Sequence, residues 1–298
     1  MRRPEPLPAP FDRRPFAVSE ARAGGLTERR MRATDLDAPF HGVRTATAPR
    51  DLLDRCRAYA VVMDPQSAFS HATAAMLHGI PLPWAVERDP RLHVASVVGG
   101  RAARGRGVAG HSSTARPLVV RIGGMPVLSA SDTWCSLASA LQRDDLIAAG
   151  DRLLGLPEAL ATSAEIDAAI GRHGRRPGAG RLRLARPALR AGSFSRRESL
   201  ARLRLLEAGL PEPELNTVIE LRSGRRTRGD LVFRAHRVLV EYDGEQHLLD
   251  PRQWAVDVAR LNDLVADGWI VIRVTKQMSA AELVDRVGHA LADRGWRR

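Results

Sequence analysis

The residues best suited to chemistry are acidic side chains in the stretch 228–247, RGDLVFRAHRVLVEYDGEQH. Two short apolar runs, Leu231–Phe233 and Val238–Val240, are joined by four residues that include two arginines and a histidine, which predicts a β-hairpin. Asp230 precedes the first run and Glu241 follows the second. Antiparallel pairing would therefore bring these two carboxylates to the same end of the hairpin.

Two further groups continue this cluster. Asp243 lies two residues beyond Glu241 and so points to the same face of the strand, and His247 follows in the loop. Carboxylates this close repel one another unless a cation lies between them, and oxygen ligands favour Mg²⁺ or Mn²⁺. Asp230, Glu241 and Asp243 are thus candidate metal ligands. The alternative is a set of solvated acids at a strand end beside an Asp-Gly turn.

Length and composition restrict the class of protein. A chain of 298 residues with 44% hydrophobic content is expected to form two globular domains. It has no apolar run long enough for a membrane span and no apolar segment typical of a signal peptide. Cys56 and Cys135 make neither a disulfide framework nor a zinc ligand set. We therefore expect a cytoplasmic protein without a membrane partner.

The charge suggests a polyanionic partner. The net charge is +12, and residues 1–190 hold most of the excess, with 28 basic and 18 acidic side chains against 18 and 16 in residues 191–298. Such an excess is typical of proteins that bind a polyanion. Because every basic residue except Lys276 is an arginine, the bias of a GC-rich genome is an alternative cause.

Composition and periodicity divide the chain into four segments. We predict an N-terminal arm at 1–48, which is either a short helical unit or partly disordered, and a mostly helical domain with some strands at 49–171. An arginine-rich linker follows at 172–194, and a C-terminal domain covers 195–298. The fold class is therefore mixed α and β.

The 49–171 segment resembles a winged-helix unit in its pattern. Helical periodicity covers 50–63, and an alanine-rich helix after Ser70 stops at Gly79. Strands are expected at Leu92–Val98 and Leu118–Ile122, and the glycine-rich loop between them is either a wing that contacts DNA phosphates or a solvated loop. The candidate phosphate contacts in this loop are Arg101, Arg104 and Arg106.

Histidines and acids elsewhere in this segment suggest no chemistry. His71 and His78 are two helical turns apart on one face but lack further ligands, so we interpret them as core or surface histidines. Asp144, Asp145 and Asp151 are spaced as helix-start and surface charges.

The linker is the most basic part of the chain. Residues 172–197 contain nine arginines and no acid, which is either a phosphate track or a solvated connection that is partly helical. The candidate DNA contacts here are Arg175, Arg176, Arg181 and Arg183.

The C-terminal segment has a regular order of elements. Ser195 and Glu198 form a capping box at the start of its first helix. Strands and helices then alternate to give the predicted order α-β-β-β-α-β-α. This order, with Asp230 on the second strand and Glu241 ending the third, resembles the PD-(D/E)XK nuclease superfamily, whose core is that of restriction endonucleases.

The similarity is greatest to a domain of unknown function related to very-short-patch-repair endonucleases. Matching pieces occur in the right order over about 100 residues. They are GLPEPELN at 209–216, RGDLVF at 228–233, VEYDGEQH at 240–247, DVARLNDL at 257–264 and GWIVIRVT at 268–275. The segment FSHATAAMLHGIPLP is more loosely similar to the winged-helix part of abortive-infection-type antitoxins.

This resemblance implies a Mg²⁺- or Mn²⁺-dependent phosphodiesterase acting on DNA in repair or defence. Asp230 and Glu241 would be the main metal ligands, with Glu198 as a further one. Asp243 stands where the superfamily has a catalytic lysine, and His247 would take over part of the acid–base work.

Arg260 is expected to pair with Asp257 near the cleft and to contact a phosphate. The alternatives are a DNA-binding regulator or antitoxin with an inactive nuclease-like domain, and a structural partner in a defence or repair complex. A homodimer is compatible with each.

Overall fold

The computed structural model describes residues 4–242 and 251–297, and the side chains of 251–255 are not among those described. The chain divides into two compact units. The N-terminal unit comprises residues 1–140 with 163–182, and the C-terminal unit comprises 141–162 with 183–298. Within the described ranges, no helix has the length and apolar character needed to cross a bilayer. The structure confirms the mixed α and β class.

The N-terminal unit contains both helices and short strands. Its helices are α1 (Val18–Ala23), α2 (Glu28–Met31), α3 (Leu52–Ala60), α4 (His71–Leu77), α5 (Trp84–Glu87), α6 (Ala130–Leu137) and α8 (Ser163–His173). Its strands are β1 (Phe16–Ala17), β2 (Val43–Arg44), β3 (Ser67–Phe69), β4 (Leu92–Ser96), β5 (Val108–Ser112), β6 (Val119–Ile122) and β7 (Met125–Leu128).

A five-stranded mixed sheet is the centre of this unit. Its order is β5-β4-β3-β7-β6, with β5 parallel to β4 and the pairs β3–β4 and β6–β7 antiparallel. Helices contribute more residues than strands to this unit, but the sequence predicted only β4 and β6 of the sheet and missed the other three strands. The loop 99–107 connects two parallel strands, whereas a wing is the loop of an antiparallel hairpin.

The helices and strands described within residues 195–298 follow the predicted order, and one further helix precedes them in the C-terminal unit. Its helices are α7 (Arg143–Leu154), α10 (Arg196–Glu207), α11 (Pro251–Ala266) and α12 (Ala280–Asp293). Its strands are β8 (Glu214–Glu220), β9 (Arg226–Phe233), β10 (Val238–Tyr242) and β11 (Ile270–Val274). They form a sheet in the order β11-β10-β9-β8, in which β10 and β11 are parallel and the other pairs are antiparallel.

This sheet buries both of its faces because its strands alternate apolar side chains between two cores. Leu231 and Val240 lie in the core that also contains Leu205 of α10 and Val287 of α12. Their strand neighbours Val232 and Leu239 lie in a second core with Leu264 of α11. The hairpin that the sequence predicted is therefore fixed on both sides.

The predicted linker 172–194 contains regular structure. It includes the end of α8, helix α9 (Ala179–Ala185) and a short 3-10 turn at Arg186–Ala188. Leu182 and Ala185 are fully buried.

Helix α7 belongs to the C-terminal unit, although the sequence placed residues 141–162 with the preceding segment. A buried ion pair fixes it there. Asp151 of α7 and Arg202 of α10 are 0% and 1% exposed, and Nη2 of Arg202 lies 3.0 Å from Oδ2 of Asp151. The other Asp151 oxygen accepts a hydrogen bond from the backbone N–H of Arg190, at 2.7 Å. The interpretation of Asp151 as a surface charge is therefore wrong.

We expect Asp151→Ala to lower the free energy of unfolding by about 3–5 kcal/mol, because it removes the buried counter-charge of the Arg202 guanidinium and leaves only the partly exposed Glu212 carboxylate at 3.3 Å. The control is Arg286→Ala, which removes an exposed pair with Glu282 on α12 and should cost about 0.3–0.5 kcal/mol. Urea denaturation of the two variants measures both. Equal small losses would contradict the structural role of the buried pair.

Candidate active site in the C-terminal unit

Asp230 and Glu241 lie opposite each other on neighbouring strands. The register of β9 and β10 pairs Leu231 with Val240, and one further step sets Asp230 beside Glu241. The parallel pairing with β11 places Arg273 on the other side of Glu241. The structure thus brings together the two carboxylates that the sequence singled out first.

Asp230 is held in a polar and partly buried position. Its Oδ2 accepts a hydrogen bond from the backbone N–H of Tyr242 at 2.8 Å. The pKa of the Asp230 carboxyl is raised to about 6, first by burial and then by the charges of Glu198 and Glu241, against the lowering effects of the Tyr242 N–H and Arg260. Burial is thus the main cause, and the neighbouring acids add to it.

Glu241 is paired with Arg260 of α11. Nη1 of Arg260 donates to Oε1 of Glu241 at 2.6 Å, and Nη2 donates to Oε2. The pair is bidentate, and Glu241 is 9% exposed. The sequence predicted Asp257 as the partner of Arg260, but Asp257 is a weaker electrostatic neighbour of this guanidinium than Glu241.

A small cavity of about 190 Å³ opens at these side chains. Both carboxylates and Arg260 line it, and the other lining residues are Arg228, Tyr242, Asp257, Leu261 and Arg273. A cavity with three acids and three guanidinium groups can hold a cation and a phosphate next to each other.

Glu198 has a different environment. It is buried at the start of α10, where Oε1 accepts from the Ser195 hydroxyl at 2.8 Å. Its Oε2 accepts from the Phe194 N–H at 2.9 Å and from Nδ2 of Asn216 at 2.6 Å. These bonds give Glu198 a capping function that also ties α10 to β8. It affects the site through its charge, and it is not among the residues that line the cavity.

The remaining predicted members of this site, Asp243 and His247, lie outside the described residues. In the described part of the chain, three acidic ligand atoms do not converge here.

The arginines predicted to contact DNA occupy several environments. Arg176 donates to Oγ1 of Thr114 and to two backbone carbonyls, and Arg181 donates to the carbonyls of Ala138 and Ser139. The others outside the cavity are exposed, namely Arg101, Arg104, Arg106, Arg175 and Arg183.

A second polar cluster lies in the N-terminal unit and was missed from the sequence. His71 begins α4, His93 lies on β4 and His111 lies on β5. One ring nitrogen from each lies within 4.8 Å of the others. Burial lowers the pKa of His71 to about 3 and that of His111 to about 4. His71 and His93 are 22 residues apart and His93 and His111 are 18 apart, and neither spacing matches a known ligand motif. The cluster becomes visible only once β4 is paired with β5.

The other predicted helix histidine, His78, is not part of this cluster. Its Nε2 lies 2.7 Å from the backbone carbonyl oxygen of Leu128, in agreement with an ordinary structural histidine.

Comparison with known proteins gives relatives without an assigned function. The chain is 27% identical over 235 residues to an uncharacterized protein of Mycobacterium tuberculosis that occurs in two strains. The match covers 79% of this chain and 83% of that protein. No family model and no solved structure matches the chain significantly.

We expect Arg260→Met to lower the free energy of unfolding by about 2–3 kcal/mol, because Glu241 would keep a largely buried charge without its partner. A matched control is Arg234→Met, which removes an equally bidentate pair with Glu214 whose two side chains are nearly half exposed. That variant should lose less than about 1 kcal/mol. Chemical denaturation at pH 7 compares the two variants. Equal losses in the free energy of unfolding would show that the burial of Glu241 does not make its pair with Arg260 more important for stability.

Proposed function

We propose that the C-terminal unit is a metal-dependent endonuclease or nickase that hydrolyses phosphodiester bonds in DNA. The observation that carries this proposal is the convergence of Asp230 and Glu241 at one cavity that Arg228, Arg260 and Arg273 also line. Carboxylates are ligands for Mg²⁺ or Mn²⁺, and arginines bind phosphate oxygens.

The donor set fits a divalent cation. Asp230 and Glu241 would hold it, and such a cation would offset both the burial and the neighbouring negative charges that raise the pKa of Asp230. The bound cation would activate a water molecule and offset charge on the phosphate. Arg260 neutralises Glu241 in its absence and would be available to a phosphate once Glu241 binds the cation. Asp243 and His247 are included in the proposed site on the basis of the sequence alone.

The partner is proposed to be DNA because of the net charge of +12 and the exposed arginines Arg101, Arg104, Arg106, Arg175 and Arg183. A role in repair or defence inside the cytoplasm is part of the same proposal. It rests on the likeness of residues 195–298 to repair endonucleases.

One observation favours the second candidate, a DNA-binding regulator with an inactive nuclease-like domain. Arg260 binds both oxygens of Glu241, so the ligand position is already neutralised by a side chain of the same unit. If Arg260 is not displaced, this arrangement is a structural ion pair and the cavity holds no cation.

The test is nicking of supercoiled plasmid with Mg²⁺ or Mn²⁺. We expect the wild type to nick and Asp230→Asn and Glu241→Gln to be slower by at least about 100-fold, the order of loss for one group that stabilises a transition state. Glu214→Gln is the control, because Glu214 is a paired carboxylate on the same sheet outside the cavity. Chelation of the metal should abolish nicking.

DNA binding separates the two candidates. Fluorescence anisotropy with duplex DNA at about 0.15 M salt reports electrostatic binding independently of cleavage. Binding by the wild type without nicking, unchanged in the Asp230 and Glu241 variants, would support the regulator. Nicking that persists in both variants would exclude this cavity as the active site.

A further inference from the structure

Three imidazole rings lie against one another in the N-terminal unit. Nδ1 of His93 is 3.0 Å from Nε2 of His111, and the ring of His71 stacks on that of His111 with centroids 3.6 Å apart. Neighbouring strands bring His93 and His111 together, because β4 and β5 run parallel with Ala95 beside His111. Gly110 lets the loop 99–107 pass close to this strand, since a Cβ at residue 110 would meet Ala103.

The distances suit a shared ligand. Two nitrogens bound to one tetrahedral Zn²⁺ at about 2.0–2.1 Å lie roughly 3.3 Å apart. His93 Nδ1 and His111 Nε2 are within a few tenths of an ångström of that separation. The third ring must rotate, because parallel stacking of His71 on His111 directs its nitrogens past the gap. This rotation changes χ2 of His71, a terminal torsion with a broad energy minimum, so it costs little energy.

The outer nitrogen of His93 makes no hydrogen bond in the described residues, but it points towards a carboxylate, as that of a metal-bound histidine does. Nε2 of His93 faces Oδ2 of Asp89 at 3.5 Å, and this carboxylate is fixed by Arg91. A carboxylate behind a histidine sets which nitrogen carries the proton and directs the other to the metal. In the present orientation Nδ1 of His71 lies 3.0 Å from the Ser70 hydroxyl, and the rotation of this ring would exchange that contact for one with the cation.

His71 is also held in a costly backbone conformation. Its φ angle is +47°, in the left-handed region that a residue with a side chain rarely adopts. Its backbone N–H donates to the Ser136 hydroxyl at 3.2 Å. Strained residues of this kind persist where the surrounding structure keeps a side chain in a required position.

The cluster borders a space that a ligand can enter. His71 and His111 line a cavity of about 400 Å³ with other polar residues, among them Asp132, His173 and Arg176. Three histidines with a fourth position open to a cavity is the pattern of catalytic zinc sites, whereas structural sites have four protein ligands.

We propose that His71, His93 and His111 bind one transition-metal cation, Zn²⁺ by the chemistry of their nitrogen ligands, with Asp89 as a positioning residue behind His93. Imidazole prefers such metals over Mg²⁺. The site is distinct from the carboxylate cavity and does not depend on the proposed nuclease function.

The test uses the full-length untagged protein, stripped with a chelator and dialysed against Zn²⁺. Elemental analysis should find one equivalent in the wild type, and His93→Gln and His111→Gln should lose it. Asp89→Asn should keep the stoichiometry and bind about 10–100-fold more weakly in a competition titration. His41→Gln, an exposed histidine of the same unit, should retain wild-type binding.

A paired variant separates the two candidate sites. Asp230→Asn combined with Glu241→Gln should keep the Zn²⁺ equivalent. The proposal would be overturned if this double variant lost its Zn²⁺ or if both histidine variants retained it. It would also be overturned if the wild type bound no stoichiometric Zn²⁺.

Cobalt provides a readout that needs no variant and so is independent of variant folding. Co²⁺ in the wild type should give the visible absorption of a four-coordinate site without the near-ultraviolet band of a thiolate ligand. Cys135 lines the same cavity, but burial raises the pKa of its thiol well above the usual range. A spectrum like that of hydrated Co²⁺, or a thiolate band, would refute the ligand set.

Discussion

A buried ion pair joins α10 to α7 in the C-terminal unit. Arg202 and Asp151 are almost fully enclosed, so their pairing offsets the cost of taking both charges out of water, and Glu212 gives Arg202 a second, partly exposed partner. Nη2 of Arg202 also donates to the backbone carbonyl of Ala188, at 2.9 Å. One guanidinium therefore joins α7, the turn before α10 and α10 itself. Because the N-terminus of α10 carries Glu198, which binds Asn216 of β8, the pair indirectly fixes the helix against the sheet that holds the candidate active site.

A buried charge needs a counter-charge, and in this cavity two kinds of cation could provide it. Glu241 can be neutralised by a guanidinium or by a divalent cation, and Arg260 is the guanidinium that the fold supplies. Asp230 has no such bidentate partner in the described residues, and burial raises its pKa. The two carboxylates therefore differ in their need for a cation. Asp230 could bind a metal ion directly, whereas a metal ion at Glu241 would have to displace the Arg260 guanidinium. That displacement would make Arg260 available to bind a phosphate when the metal binds.

The helices and strands of residues 195–298 could be predicted because each has a local pattern in the sequence. Features that depend on pairing between distant residues could not be predicted. The hairpin of β9 and β10 follows from two apolar runs and a four-residue connection, so both carboxylates could be placed from the sequence. Helix α7 was assigned to the preceding segment because nothing near Asp151 in the chain indicates that its partner is 51 residues away. Strand β3 has only three residues, too few for a recognisable alternation. The partners of His71 lie on separate strands, and spacing along the chain cannot reveal them.

The two candidate sites differ in the atoms that they offer. Carboxylate oxygens on β9 and β10 suit a hard cation that keeps much of its water, whereas imidazole nitrogens on α4, β4 and β5 suit a borderline transition metal. Burial keeps the pKa of His71 and of His111 low, so these rings are neutral at pH 7 and need no proton release before binding. In the metal-free cluster, a single proton between His93 and His111 satisfies their facing nitrogens, and His71 contributes only ring stacking. A cation would use the lone pairs of all three rings, which explains why strand pairing, a carboxylate and a strained backbone hold these histidines together.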